Sequence, residues 1–207
     1  MAVLTDMNQP LGSAIGNAWE VREAVEALSG LVPPEAPLMQ VSLTLGSAML
    51  LLSGLCASME EGKEKLLGAI NNGAGLSVLK NMISDLGGDE SYIDAEKIKK
   101  NTETKLVIPV CAEISGYVSG MDTEEIGNAS RVLGAGRAKL TDVIDPAVGI
   151  VFSKRLGEQV NTGDIVCTVY ANDEAKAAEA VKMIREAVRF SDKPVAAPQL
   201  ILDVIKE

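Results

Sequence analysis

The sequence predicts an α/β chain in two parts, a largely helical segment over residues 1–104 and an α+β segment over 105–207. Two patterns carry that division. Before residue 105, apolar residues recur at 3.6-residue spacing in successive stretches. After it, short valine- and isoleucine-rich runs bounded by glycine and asparagine turns alternate with amphipathic stretches. Composition adds a third point. Hydrophobic residues make up 47% of the chain but aromatics only 3%, so the core must be aliphatic.

In chain order, Ala2–Thr5 reads as a short buried strand. A loop over Asp6–Gly16 leads into a helix with Val21, Ala24, Val25 and Leu28 on one face. Gly30–Pro37 is a stiff connector, and an uncharged helix of about Leu38–Ser58 follows. A third helix buries Leu66, Leu67 and Ile70 and stops at Asn71-Asn72-Gly73, a left-handed cap signal. A fourth aligns Leu76, Leu79, Ile83 and Leu86 and ends at Gly87-Gly88. Residues 89–104 are charged, lack a period and read as a linker. Then Lys105–Ile114 is strand-like, with Pro109 implying an edge or a bulge. Asp122 and Glu125 form a capping box before a helix carrying Ile126, Ala129, Val132 and Leu133. "VGIVF" and "DIVCTVY" are strands around a turn at Asn161-Thr162-Gly163. A long helix capped by Asn172 or Asp173 points Ala177, Ala180, Val181, Ile184 and Val188 inward, and "QLILDVI" is a closing strand. The first strand has no evident partner before residue 105. Its backbone needs one, so it either joins the second segment's sheet or belongs to a sheet mostly outside this chain.

Charge and composition exclude several functions. The net charge of −10 disfavours a nucleic-acid binder, which needs clustered lysine and arginine. It equally disfavours adhesion to anionic lipid. The uncharged stretch Ala36–Met59 has spanning length, but Gln40, Ser42, Thr44, Ser47 and Ser53 are spread through it, so it reads as a buried helix and no membrane partner is expected. The absence of histidine removes histidine triads, bases and zinc sites. Cys56, Cys111 and Cys167 are odd in number and far apart, and read as buried thiols of a reducing, cytoplasmic protein. Met1 is followed by "AVLTDM" with no secretory signal pattern.

The Asp6–Gly16 loop carries no lysine, arginine or histidine. It could cradle phosphate on helix-start amides, although "GSAIGN" matches neither the P-loop nor GxGxxG. It could hold a hard cation on its carbonyls with Glu20 or Glu23 beyond. Or it is a tight loop packed on the core. "LGAGR" at 133–137 reads as a structural C-cap, Asp142 and Asp145 as a capped turn, and Glu60, Glu61 and Glu64 beside Lys63 and Lys65 as a solvated face. "LGEQVNTGDIV" resembles the hairpins of lipoyl- and biotinyl-carrier domains without their exposed lysine, so the shape is expected and the carrier function is not.

"LTDMNQPLGSAIGNAWEVREAVEAL", "GGD" at 87–89, "SGYVSGMDTEEIGNASRVLGAGRAKLTDVIDPAVGIVFSKRLGEQVNTGD" and "VAAPQLILDVI" together resemble the C-terminal half of pyrimidine-nucleoside and thymidine phosphorylases. The resemblance implies that residues 1–104 complete a truncated α/β catalytic domain. It also implies that 105–207 form its C-terminal α+β subdomain, a hammerhead matching about Pro109–Ser191. The implied enzymes are homodimeric pentosyltransferases, which exchange the base of uridine or thymidine for phosphate as co-substrate. They bind potassium against a phosphate loop. The family's phosphate- and base-binding segments have no counterpart here, so the resemblance implies no catalytic or substrate-binding residue in this chain and a missing N-terminal half as partner. By motif position the potassium ligands fall on the carbonyls of Leu11 and Ala14 and on Glu23. The alternatives are a non-catalytic scaffold or regulatory module, and a related nucleoside-monophosphate phosphorylase.

Overall fold

A computed structural model describes residues 1–137 and 139–206. The chain packs as two compact units that interleave in sequence. One gathers residues 1–6, 22–97 and 199–207, the other 7–21 and 98–198. Sequence texture suggested consecutive segments divided near 104. By packing, the C-terminal residues group with the first unit and the 7–21 loop with the second.

In the first unit, β1 (Ala2–Thr5) pairs antiparallel with the closing strand Ile201–Ile205, from Ala2 opposite Ile205 to Thr5 opposite Ile201. Its side chains alternate between exposed and half-buried, so the expected burial of β1 is not found: a two-stranded ribbon has no second layer to close both faces. The helices follow the apolar periodicity. They are α1 (Asn17–Leu28, which enters from the other unit), α2 (Pro37–Leu52), α3 (Met59–Asn71) and α4 (Ala74–Asp85). Proline suits the first turn of α2, where its missing N–H is an orphan in any helix. That helix ends six residues earlier than expected, because the chain turns through the left-handed region at Gly54 (φ 72°). Ser58 caps α3 by accepting the Glu61 amide at 3.1 Å, while Glu61 accepts the Ala57 amide at 2.7 Å. The core here is small: Ala27, Met39 and Leu43, with Leu66, Leu67 and Ile70 against them. α2 and α3 cross closely because Gly62 has no Cβ; one would lie 2.9 Å from the Ser47 Cα. The expected inward stripe of α4 is only half-buried, and Leu86 is 81% exposed. The expected linker is partly helical. A 3-10 turn (Glu90–Ile93) buries Ile93, and α5 (Ala95–Asn101) follows. Asp89 caps the turn. The Ser91 hydroxyl and the Lys97 ammonium bonded to it hold its carboxyl down to about 2.

The second unit holds two antiparallel sheets. β3 (Leu106–Cys111), β5 (Gly149–Phe152) and β7 (Ile165–Ala171) fall where valine and isoleucine predicted strands, and β4 (Gly116–Met121) follows β3. β2 (Ala14–Ile15), β6 (Gln159–Val160) and β8 (Val188–Ser191) are too short to show a period. The sheet orders are β2-β5-β7-β3 and β6-β4-β8. Pro109 sits on β3, an edge strand with an irregularity between Val110 and Cys111, as a ladder residue without an N–H requires. β6 pairs with β4 and not with β7, so the turn at 161–163 joins two sheets and the expected carrier-type hairpin is absent. α6 (Thr123–Ser130) is capped by Asp122, which accepts the Glu125 amide at 3.1 Å, and it runs into a π-helical turn over Arg131–Ala135. α7 (Glu174–Ala187) is capped by Asp173; Val188, expected on its inner face, opens β8.

Ile126, Ile150 and Ile184 are almost wholly buried, each contributing about 1.5–3 kcal/mol, with Val118, Val148, Val160 and Val169 around them. Cys167 is buried among these groups, and burial pushes its thiol up to about 12. Cys56 is also buried, but Cys111, expected to be so, is half-buried on its edge strand. No helix among the described residues is long and apolar enough to cross a membrane.

Candidate cation site

The loop before α1 is held within the second unit by residues 115–150 positions away in sequence. The Ser13 carbonyl accepts the Phe152 amide at 2.8 Å. Ala14 and Ile15 then pair with Val151 and Ile150 as β2. Gly16 closes the loop with φ 134°, its Cα so near β5 that an added Cβ would lie 2.6 Å from the Val148 carbonyl oxygen. Only glycine fits that approach. Glu20, one of the two carboxylates considered for a cation, instead returns to cap the helix start: its Oε1 accepts the Gly16 amide at 3.1 Å.

The helix start is fixed just as firmly. Ala18 donates its amide to the Pro146 carbonyl at 3.0 Å, and Asn17 donates its side-chain amide to Ala135 at 3.2 Å. Trp19 is 7% exposed, stacks on Tyr170 with ring centroids 4.0 Å apart, and donates its indole N–H to Ala147 at 2.9 Å. The indole occupies the space above Gly149, where a Cβ would lie 2.6 Å from its Cδ1.

Arg155 supplies the positive charge that the loop lacks. Its Nη1 donates to the Pro10 carbonyl, and its Nη2 to the Leu11 carbonyl at 3.3 Å and the Ser13 hydroxyl at 3.2 Å. Beside it, Leu156 donates its amide to Oε1 of the buried Gln9 at 3.2 Å. The loop's oxygens therefore converge on a cation, here a guanidinium. The set is all oxygen, the donor type that hard cations take, and of the expected ligands it includes Leu11. Of the three expected ligands, Leu11 and Ala14 belong to the second unit and Glu23 to the first.

The other candidates resolve as structural features. The Gly134 carbonyl accepts the Asp145 amide at 2.9 Å, so the 133–137 turn presents an oxygen there. Asp145 accepts from the Ala147 amide at 3.1 Å and from the Asn172 side chain at 2.7 Å, and Asp142 accepts the Lys139 amide at 2.8 Å. Glu61 and Lys65 form an exposed i,i+4 pair at 2.8 Å, a contact that solvent screens. No group of three histidine, cysteine, aspartate or glutamate side chains able to hold a metal occurs among the described residues. Sequence reasoning missed Arg155 altogether. It lies in a turn-rich stretch with no motif, 144 positions from Leu11.

Residues 117–191 match the family model of the pyrimidine nucleoside phosphorylase C-terminal domain. Pyrimidine-nucleoside phosphorylases of Staphylococcus aureus strains USA300 and N315 are each 40% identical over 207 residues, 100% of this chain and 46% of the relative. The enzyme of the bovine strain RF122 / ET3-1 has the same identity and coverage. The chain thus spans about half the length of the curated relatives it matches. Its antiparallel sheets and helices agree with the α+β C-terminal domain expected from sequence. Throughout its length the chain is similar to the C-terminal part of pyrimidine-nucleoside phosphorylases, and residues 117–191 match that family's C-terminal domain.

Proposed function

We propose that this chain supplies the scaffold side of a pyrimidine-nucleoside phosphorylase, a pentosyltransferase that cleaves uridine or thymidine with phosphate. The observation that carries this reading is the 40% identity sustained over all 207 residues. In the reaction a phosphate oxygen forms a bond to the anomeric carbon as the bond to the pyrimidine nitrogen breaks. The electron pair leaves with the base, which takes up a proton. Such a transition state is stabilised by positioning and by preorganised charge, and needs no histidine from this chain. The groups that touch nucleoside and phosphate belong to the portion that the relatives have and this chain does not span. The assembled enzyme is a cytoplasmic homodimer on this reading.

What this chain contributes is a brace. By the family resemblance, the Leu11 and Ala14 carbonyls and the Glu23 carboxylate are the residues that would hold a potassium ion. A bound ion supplies fixed positive charge beside the phosphate-binding segment of the other portion. The chain's own residues keep the loop in shape: Gly16 against Val148, Ser13 on Phe152, and Gln9 on Leu156.

Phosphorolysis of uridine and thymidine is the test, assayed with the 207-residue chain alone and then with the N-terminal portion of a relative added. Activity is expected only in the mixture. Turnover by the chain alone would place the active site here and overturn the reading, and so would a mixture that associates but stays inactive.

A further inference from the structure

Arg155 donates to Pro10, Leu11 and Ser13 of a loop that has no positive charge of its own, and these bonds are made by one planar group. A guanidinium presents donors in a fixed fork, so Nη1 on Pro10 and Nη2 on Leu11 and Ser13 define a single orientation of the loop backbone. The backbone that carries the fork is itself held, because the Arg155 main-chain amide donates to Glu158 Oε2 at 3.0 Å. The next amide, Leu156, ties down Gln9. The 153–160 turn therefore grips the loop at Gln9, Pro10, Leu11 and Ser13, all within one compact unit.

We infer that Arg155 is the positioning residue of the cation loop: its fork sets the direction in which the Leu11 carbonyl is presented to a monovalent ion. The inference rests on the reading of this loop as a cation site. A carbonyl oxygen has two lone pairs, so Leu11 can accept from Nη2 and still offer its other face to the ion. The guanidinium and the ion repel each other, so they would take different lone pairs of the Leu11 oxygen, and Arg155 stays outside the ion's shell. The C-terminal domain thereby acquires a role in cation affinity although none of its own residues is a ligand.

Hydrogen exchange on the 207-residue chain tests this, run in potassium chloride and in choline chloride at equal ionic strength. In Arg155→Gln, amides of Gly12–Ile15 are expected to exchange at least about tenfold faster, as loss of charge-assisted bonds frees the loop, while β5 and β7 keep their protection. Potassium slows these amides in the native chain and no longer does so in the variant. Arg155→Lys keeps the charge but not the fork, and is expected to resemble Arg155→Gln. Ser13→Ala removes one contact and shifts the same amides in the same direction with the fold intact. Unchanged loop exchange in Arg155→Gln, or full rescue by lysine, overturns the inference. A native loop that is indifferent to potassium, with faster exchange in Arg155→Gln, overturns the cation reading and leaves the clamp standing.

Discussion

Replacing Gly149 with alanine tests whether the seat of Trp19 holds the helix start in place. The added Cβ would lie 2.6 Å from the indole Cδ1 and 2.7 Å from the Ile15 carbonyl oxygen. The second atom is backbone on β2, paired with β5, so it cannot swing aside. The first belongs to a ring that is 7% exposed and stacked on Tyr170, so it has nowhere to go without leaving its place. Overpacking of this kind costs about 1–3 kcal/mol. If the ring moves, its bond to the Ala147 carbonyl is lost, adding about 1 kcal/mol. The total of about 3 kcal/mol is a large fraction of a domain's stability. Trp19 is the sole tryptophan, so its fluorescence reports the site directly during urea unfolding. With a urea slope of about 2 kcal/mol/M, the midpoint is expected to fall by about 1.5 M. Gly127→Ala is the control: nothing lies within 4 Å of its added Cβ, and the exposed helical site should gain up to about 1 kcal/mol. A Gly149→Ala midpoint within about 0.2 M of the native value would show that the close approach of strand and indole does not constrain the fold.

Two further perturbations probe the cores. Gly62→Ala sets a Cβ 2.9 Å from the Ser47 Cα at the α2–α3 crossing. The strain outweighs the gain in helix propensity, and calorimetry should show a net loss of about 1–2 kcal/mol. Cys167 is neutral in the fold with its thiol pushed up to about 12, whereas an unfolded thiol ionises near 9. The unfolded state thus binds fewer protons above that lower value, and stability present below it is lost as pH rises from about 9 towards 12. Cys167→Ala should flatten this alkaline decline in urea midpoint, and an unchanged pH profile would remove Cys167 as its cause. In native alkylation followed by mass spectrometry, the half-buried Cys111 is expected to react before Cys167.

The sequence by itself determined the long helices, the longer strands, several of their caps and the likeness to pyrimidine-nucleoside phosphorylases. Periodicity, Asp122 with Glu125, and Pro109 at a sheet edge are local signals, because each depends on residues a few positions apart. It also determined which loop to suspect, since Gly16 and the polar turn before α1 stand out. Tertiary structure alone decided how β1 finds the closing strand, which short segments become β2, β6 and β8, and that two units interleave. It alone placed Arg155 on the Leu11 carbonyl. The physical reason is the same throughout: two-residue strands and a lone arginine have no period to read. Their partners lie from about forty to more than a hundred positions away, joined by backbone and side-chain hydrogen bonds that exist only after the chain has folded.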